Sequence, residues 1–194
     1  MNKKRIEQAV KVILEEIGED LNREGIKYTP VRVARLYENL FYGYKKQLKV
    51  MNEEERNTQV NKDIIPITVF KNEKDNMLIR KVKFVSTCEH HISSITNGEC
   101  WVGIIPGKLL LGMNKIDKIV KFFAARLQIQ ERMTDEIASW IDKNIKPQGV
   151  MVVIKANHMC AELQGDEGYF TTSSVRGIFA KEINARQEFL SLIK

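Results

Sequence analysis

The feature that most constrains this chain is a change of hydrophobic period near residue 64. Before it, apolar residues recur at helical spacing. Ile6, Ala9, Val10, Ile13, Leu14 and Ile17 fall on one helical face, and Gly18 follows as a stop signal. A second helix is predicted to start at Thr29-Pro30, with Thr29 as N-cap and Pro30 in the first helical position. Its apolar face is Val33, Leu36, Tyr37, Leu40 and Phe41, and Gly43 closes it. Residues 45–63 are polar and charged and read as a helix–loop connection or linker. After residue 64 the pattern becomes β-like. Residues 65–70 and 78–85 read as strands parted by a turn at 71–76, and 99–105 as a third between Asn97-Gly98 and Pro106-Gly107. Helices are predicted at about 114–126 and 130–145. Strands follow at 150–156 and 171–179, then a closing helix at 181–193. The order strand–strand, helix–helix, strand–strand predicts an α+β fold with the helices on one sheet face. The helical region 1–63 would then stand apart from a domain spanning 64–194.

Composition narrows the function classes. With 43% hydrophobic and 29% charged residues over 194 positions, the chain has material for an ordinary folded core. No apolar run approaches bilayer length, so no membrane role is expected. The N-terminus is basic and then amphipathic with acids inside it, unlike a signal peptide, and the cytosol is the expected location. The net charge of +6 suits an anionic ligand. No Lys/Arg cluster interleaved with aromatics marks a nucleic-acid face, so no nucleic-acid partner is expected.

The chain has three cysteines and three histidines. An odd, low cysteine count argues against a disulfide framework. Every histidine lies within three residues of Cys88 or Cys160, in the clusters Cys88-Glu89-His90-His91 and His158-Met159-Cys160. Each cluster follows a predicted strand, where a rigid element can present side chains to a site. Thiolate and imidazole suit Zn²⁺, and three protein ligands leave a fourth position for water, whose pKa zinc lowers from roughly 15.7 to about 7. Adjacent residues of an extended stretch point to opposite sides, so His90 and His91 do not readily share one metal, whereas His158 and Cys160 are spaced to share a face. Several ligand triads remain open on these grounds. Paired C-x₂₋₄-C knuckles, H-E-x-x-H and the deaminase pattern are all absent. Cys100, inside a β run, reads as a small core residue.

Taken together, these residues resemble the signature of the GTP cyclohydrolase I family. Ser86-Thr87-Cys88-Glu89-His90-His91 and the downstream His158-Met159-Cys160 carry the likeness. It extends to Gly18–Gly25, to Thr29-Pro30 followed by Arg32-Val33-Ala34, and to Gly112-Met113-Asn114-Lys115-Ile116. Residues 126–134 and the tail Arg186-Gln187-Glu188-Phe189-Leu190 also follow the family, so the likeness covers about 18–44 and 78–190. It implies a T-fold, an antiparallel sheet backed by two helices, assembled as a homodecamer of two pentamers. It implies zinc held by Cys88, His91 and Cys160, with His90 and His158 free for proton transfer. The implied reaction opens the imidazole ring of GTP at C8, releases formate and yields dihydroneopterin triphosphate. Here His158 would protonate N7 and His90 would assist ribose opening. Glu131 would accept the guanine N1–H and exocyclic amine as a bidentate pair, with Gln130 supporting the same pocket. Taken alone, Glu131 also reads as an acid favouring a helix N-terminus.

The chain departs from this pattern in the phosphate grip. Gln164 stands where the family carries an arginine, Asn114 replaces a serine before Lys115, and Lys118 takes the place of the next basic residue. A glutamine offers no charge-assisted bidentate clamp, and each lost charged hydrogen bond typically costs roughly 1.5–3 kcal/mol. Two expectations compete: Arg176, where relatives carry glycine, reaches the phosphates instead, or the substrate is a differently phosphorylated or modified guanine nucleotide or nucleoside. A non-catalytic relative with a structural metal is the third reading.

Overall fold

The computed structural model describes residues 1–59, 61–73 and 76–193. The chain divides into two compact units, Met1–Tyr42 and Gly43–Lys194. The first holds α1 (Lys3–Glu16) and α2 (Thr29–Leu40). Asn2 caps α1, its side chain accepting from the Arg5 N–H at 3.2 Å. Pro30 sits in the first turn of α2 as predicted, but Tyr28 rather than Thr29 takes the cap. The Thr29 hydroxyl turns back to the Gly25 carbonyl at 3.4 Å, and its N–H is already donated to Ile26, so Thr29 joins the helix instead of capping it.

The stretch read as a helix–loop connection or linker holds a helix and, beyond that reading, a strand. It forms β1 (Gln47–Met51) and α3 (Glu53–Gln59), and β1 pairs in parallel with β2 (Ile64–Lys71). A reciprocal capping box opens α3: the Glu55 N–H donates to the Asn52 side chain at 2.8 Å, and the Asn52 N–H to Glu55 at 2.9 Å. Residues 43–63 thus belong to the sheet-bearing unit. Residues 74 and 75 of the expected 71–76 turn lie outside the described residues.

The rest of the second unit comprises β3 (Leu78–Cys88), β4 (Ser94–Ile105), β5 (Leu109–Leu111), α4 (Met113–Ala124), β6 (Leu127–Gln128), α5 (Gln130–Ile145), β7 (Gly149–His158), α6 (Met159–Glu162), β8 (Phe170–Gly177), α7 (Ile178–Lys181) and α8 (Ile183–Leu192). Five strands form one sheet in the order β6-β3-β4-β7-β8, antiparallel except for the short β3–β6 pair, and β1-β2-β5 form a second. This is the α+β architecture expected. Alternation along β7 separates its faces. Val150, Val152, Ile154 and Ala156 join the main core with Ile116, Val120, Met133, Ile137 and Ile141 of α4 and α5, and Cys100 is buried among them. Met151 and Val153 look the other way, packing with Phe179 and Phe189, so the closing helix covers part of the opposite face.

Two glycines are demanded by the backbone. Asn97-Gly98 was expected to bound a strand; instead it sits inside β4 at a register shift between Thr96 and Glu99, with Asn97 at φ +49°. A side chain at Gly98 would meet the Phe84 ring and carbonyl at 2.7 Å. Gly177, at φ +61°, ends β8 with its virtual Cβ 2.1 Å from the Gln148 carbonyl. Gly177→Ala is expected to lower unfolding free energy by about 1–3 kcal/mol or more, read as a shifted denaturant midpoint with unchanged slope.

Candidate metal centre and active site

Three sheet and helix ends converge on one corner of the fold. Cys88 is the last residue of β3, His158 the last of β7, and Cys160 lies in the first turn of α6. The β3 end is tied down twice: Cys88 N–H donates to Ser93 O at 2.8 Å, closing the turn 88–93, and Glu89 N–H donates to Gln128 O at 3.1 Å. The Sγ atoms of Cys88 and Cys160 lie 4.0 Å apart. Donor atoms of Cys88, His158 and Cys160 all fall within 4.8 Å of one another, the metal-capable group among the described residues. This spacing fits zinc, since two thiolates about 2.3 Å from a tetrahedral ion lie about 3.8 Å apart.

The two remaining histidines occupy the turn that follows Cys88, both exposed, their ring planes at 77° to each other. The structure therefore brings His158 to the thiols and leaves His91 outside that group. His90 lines a cavity of about 250 Å³ together with Cys88, Gln130, Glu131, His158 and Cys160. Glu131 lies in the first turn of α5, exposed, so its carboxylate is accessible to a ligand. His158 is half-buried, with Phe170 edge-on at 5.1 Å between centroids. Burial holds its pKa below the usual histidine value, and the Glu131 carboxylate pulls it partly back up.

Gln130 lines the same cavity, but from a buried position. It is 3% exposed, and its amide is engaged by Phe170, Thr172 and Ile154 on one side and by His158 Nε2 at 2.9 Å on the other. Sequence reasoning also missed the brace on the Cys88 turn. Arg132 of α5 is ion-paired with Glu89 and reaches the Leu127 carbonyl and the Gln128 side chain. The only sequence signal was a Glu–Arg pair 43 residues apart, which no local spacing rule reads.

The expected phosphate contacts are scattered. Gln164 donates back to Cys160 O at 2.9 Å, fastening α6. Asn114, Lys115 and Lys118 lie toward the start of α4. That end packs at Arg80 of β3, where Asp117 accepts from Arg80 Nε at 2.8 Å, while the far end meets the Cys88 side through Ser86 Oγ and Ala124 O at 2.8 Å. Lys115 is 6% exposed, and burial together with Lys118 and Arg56 holds its pKa below the usual lysine value. Arg176 stands opposite Val150 at the other end of β7 from His158. Its guanidinium is taken by Asp135 at 2.5 Å, Ser174 at 3.0 Å and Ser139 at 3.1 Å. So the chain gathers the thiols, His90, His158, Glu131 and Gln130 at one corner, and carries Lys115, Lys118 and Arg176 away from them.

Similarity to known proteins runs along nearly the whole chain. The model of the family described as GTP cyclohydrolase I matches residues 6–194. The chain belongs to the GTP cyclohydrolase I family. Among its relatives, GTP cyclohydrolase 1 of Aquifex aeolicus (strain VF5) is 39% identical, covering 100% of this chain and 98% of that protein. GTP cyclohydrolase 1 of Campylobacter jejuni (strain RM1221) is 43% identical over 98% of the chain and 95% of that protein. The Helicobacter pylori (strain P12) protein of the same name is 39% identical over 93% and 94%. A solved structure, the archaeosine synthase QueF-Like in the apo form, overlaps 55% of the chain with a TM-score of 0.45 and 17% identity. Membership of the GTP cyclohydrolase I family extends to the segment 45–77, where the motifs were silent.

Proposed function

We propose that this chain is a zinc-dependent GTP cyclohydrolase that consumes water at C8 of guanine, releases formate and forms 7,8-dihydroneopterin triphosphate. The observation that carries this reading is one cavity lined by two thiols, two imidazoles and a carboxylate, in a chain matched to the family over 6–194. Cys88, His91 and Cys160 would hold the zinc, which supplies Lewis acidity and makes water nucleophilic at neutral pH. His158 gives N7 its proton as C8 becomes tetrahedral; an imidazole titrates near the operating pH and can return to its starting state in each cycle. His90, on the exposed turn, moves the proton that opens the ribose ring. Glu131 accepts N1–H and the exocyclic amine, which orients the imidazole edge of guanine toward the thiol end of the cavity.

A second ligand reading has an observation of its own. His158, not His91, lies with the two thiols, so a Cys88, His158, Cys160 triad is the competing assignment. For the phosphate tail, Asn114, Lys115, Lys118, Gln164 and Arg176 remain the proposed contacts. Their scatter within one subunit supports a homo-oligomer, a decamer of two pentamers, in which neighbours complete each site. Cys88, Cys100 and Cys160 are free thiols, in keeping with a cytosolic location. The test is incubation with zinc and, in turn, GTP, GDP, GMP and guanosine, following formate and the fluorescence of the oxidised pterin. Formate from GTP supports the reading; formate from guanosine or GMP alone moves the substrate to the less phosphorylated alternative. Release from none of the four overturns it.

A further inference from the structure

The hydrogen bonds around Gln130 have a direction, and that direction can be traced atom by atom. The carbonyls of Phe170 and Ile154 can only accept, so the Gln130 nitrogen must face them, at 3.0 and 3.3 Å. The third contact of that nitrogen is Thr172 Oγ1 at 3.2 Å. Thr134 spends its hydroxyl proton on the Gln130 carbonyl one turn back, at 2.7 Å. The 2.7 Å bond between the two threonine hydroxyls is therefore donated by Thr172, whose oxygen is left to accept from Gln130. Four groups on α5, β7 and β8 thus agree on one orientation of a buried amide. Its oxygen, an acceptor only, is turned to His158 Nε2 at 2.9 Å. A ring nitrogen facing an acceptor must carry the proton.

We propose that Gln130 is a positioning residue acting through His158: its amide keeps a proton on Nε2 and leaves Nδ1 as the nitrogen that exchanges protons during turnover. The role in turnover rests on the cyclohydrolase reading; the tautomer does not. The arrangement explains why a side chain lining the cavity is almost wholly buried, and why Thr134, the last residue of the 126–134 motif, faces Thr172 beneath it. A substrate in the cavity meets a histidine whose ring is already oriented.

The test uses the full-length, zinc-loaded protein with ¹⁵N-labelled histidine, above the ordinary histidine pKa of about 6.5. With only three histidines, ring signals are assigned by single substitutions. The expected wild-type result is one His158 tautomer, protonated at Nε2, with that proton exchanging slowly with water. Gln130→Met, close in volume but without the amide, is expected to lose the slow exchange. It should also lose about 10–100-fold in kcat, the range for partners that orient an active imidazole, while KM for GTP moves less than about threefold. If Gln130→Met does not fold, Thr172→Val answers instead. It leaves Gln130 and its Phe170 bond in place, and should speed exchange of the Nε2 proton and lower kcat by a smaller factor. A wild-type ring protonated at Nδ1, or a folded variant with exchange and kcat both unchanged, overturns the proposal. If the ring behaves as expected but no guanine compound releases formate, the functional reading fails and the tautomer assignment stands.

Discussion

Cys160→Ser is expected to leave a folded protein that retains no stoichiometric zinc and releases formate at least roughly 10³-fold more slowly. Metal-derived charge stabilisation is worth several kcal/mol, and about 4 kcal/mol corresponds to that factor. The fold should survive because Cys160 is only partly buried and lies on a four-residue helix at the edge of the core. Elemental analysis and far-ultraviolet circular dichroism separate loss of metal from loss of structure. Chelation of the wild type should reproduce the variant, and added zinc should rescue the chelated wild type alone. A Cys160→Ser protein with full zinc and full activity would remove the thiol pair from the mechanism.

The second large effect distinguishes the two ligand sets. His91→Ala is expected to lose zinc with activity, whereas His158→Ala keeps the metal and loses about 10²–10⁴-fold in kcat, the usual worth of a general acid. Cobalt substitution gives a readout independent of turnover, because thiolate-to-metal absorption reports the two cysteines whichever histidine is present. The opposite split, with metal lost only in His158→Ala, assigns His158 as the third ligand and moves proton transfer to His90.

Much of the fold was legible because its elements obey simple periods. The 3.6-residue apolar stripe of α5 and the β-branched run of β7 announce themselves, and their observed bounds differ from those expected by at most two residues at either end. What escaped were elements stabilised by partners rather than by pattern. Strand β1 alternates, but over only five residues inside a charged stretch, and it is held by pairing with β2; β5 has three residues; α6 is one turn, held by the Gln164 side chain. Within the site, residue types were legible because thiols and imidazoles are scarce and clustered. Their geometry was not: β4 lies between β3 and β7, and only that register carries Cys88 to Cys160 across 72 positions of sequence. Gln130 shows the same limit, since its neighbours on β8 lie about 40 residues away.

The course of α4 has a consequence for populations of mixed molecules. Its first turns carry Lys115 to the Arg80 end of β3, away from the thiols, so, on the oligomeric reading proposed above, a nucleotide held by both would bridge two copies of the chain. Co-expressing a Lys115→Ala chain with a His158→Ala chain, each inert alone, would then regenerate some intact composite sites. Turnover would return at the binomial fraction set by the mixing ratio, a dosage behaviour that a self-contained monomer cannot display.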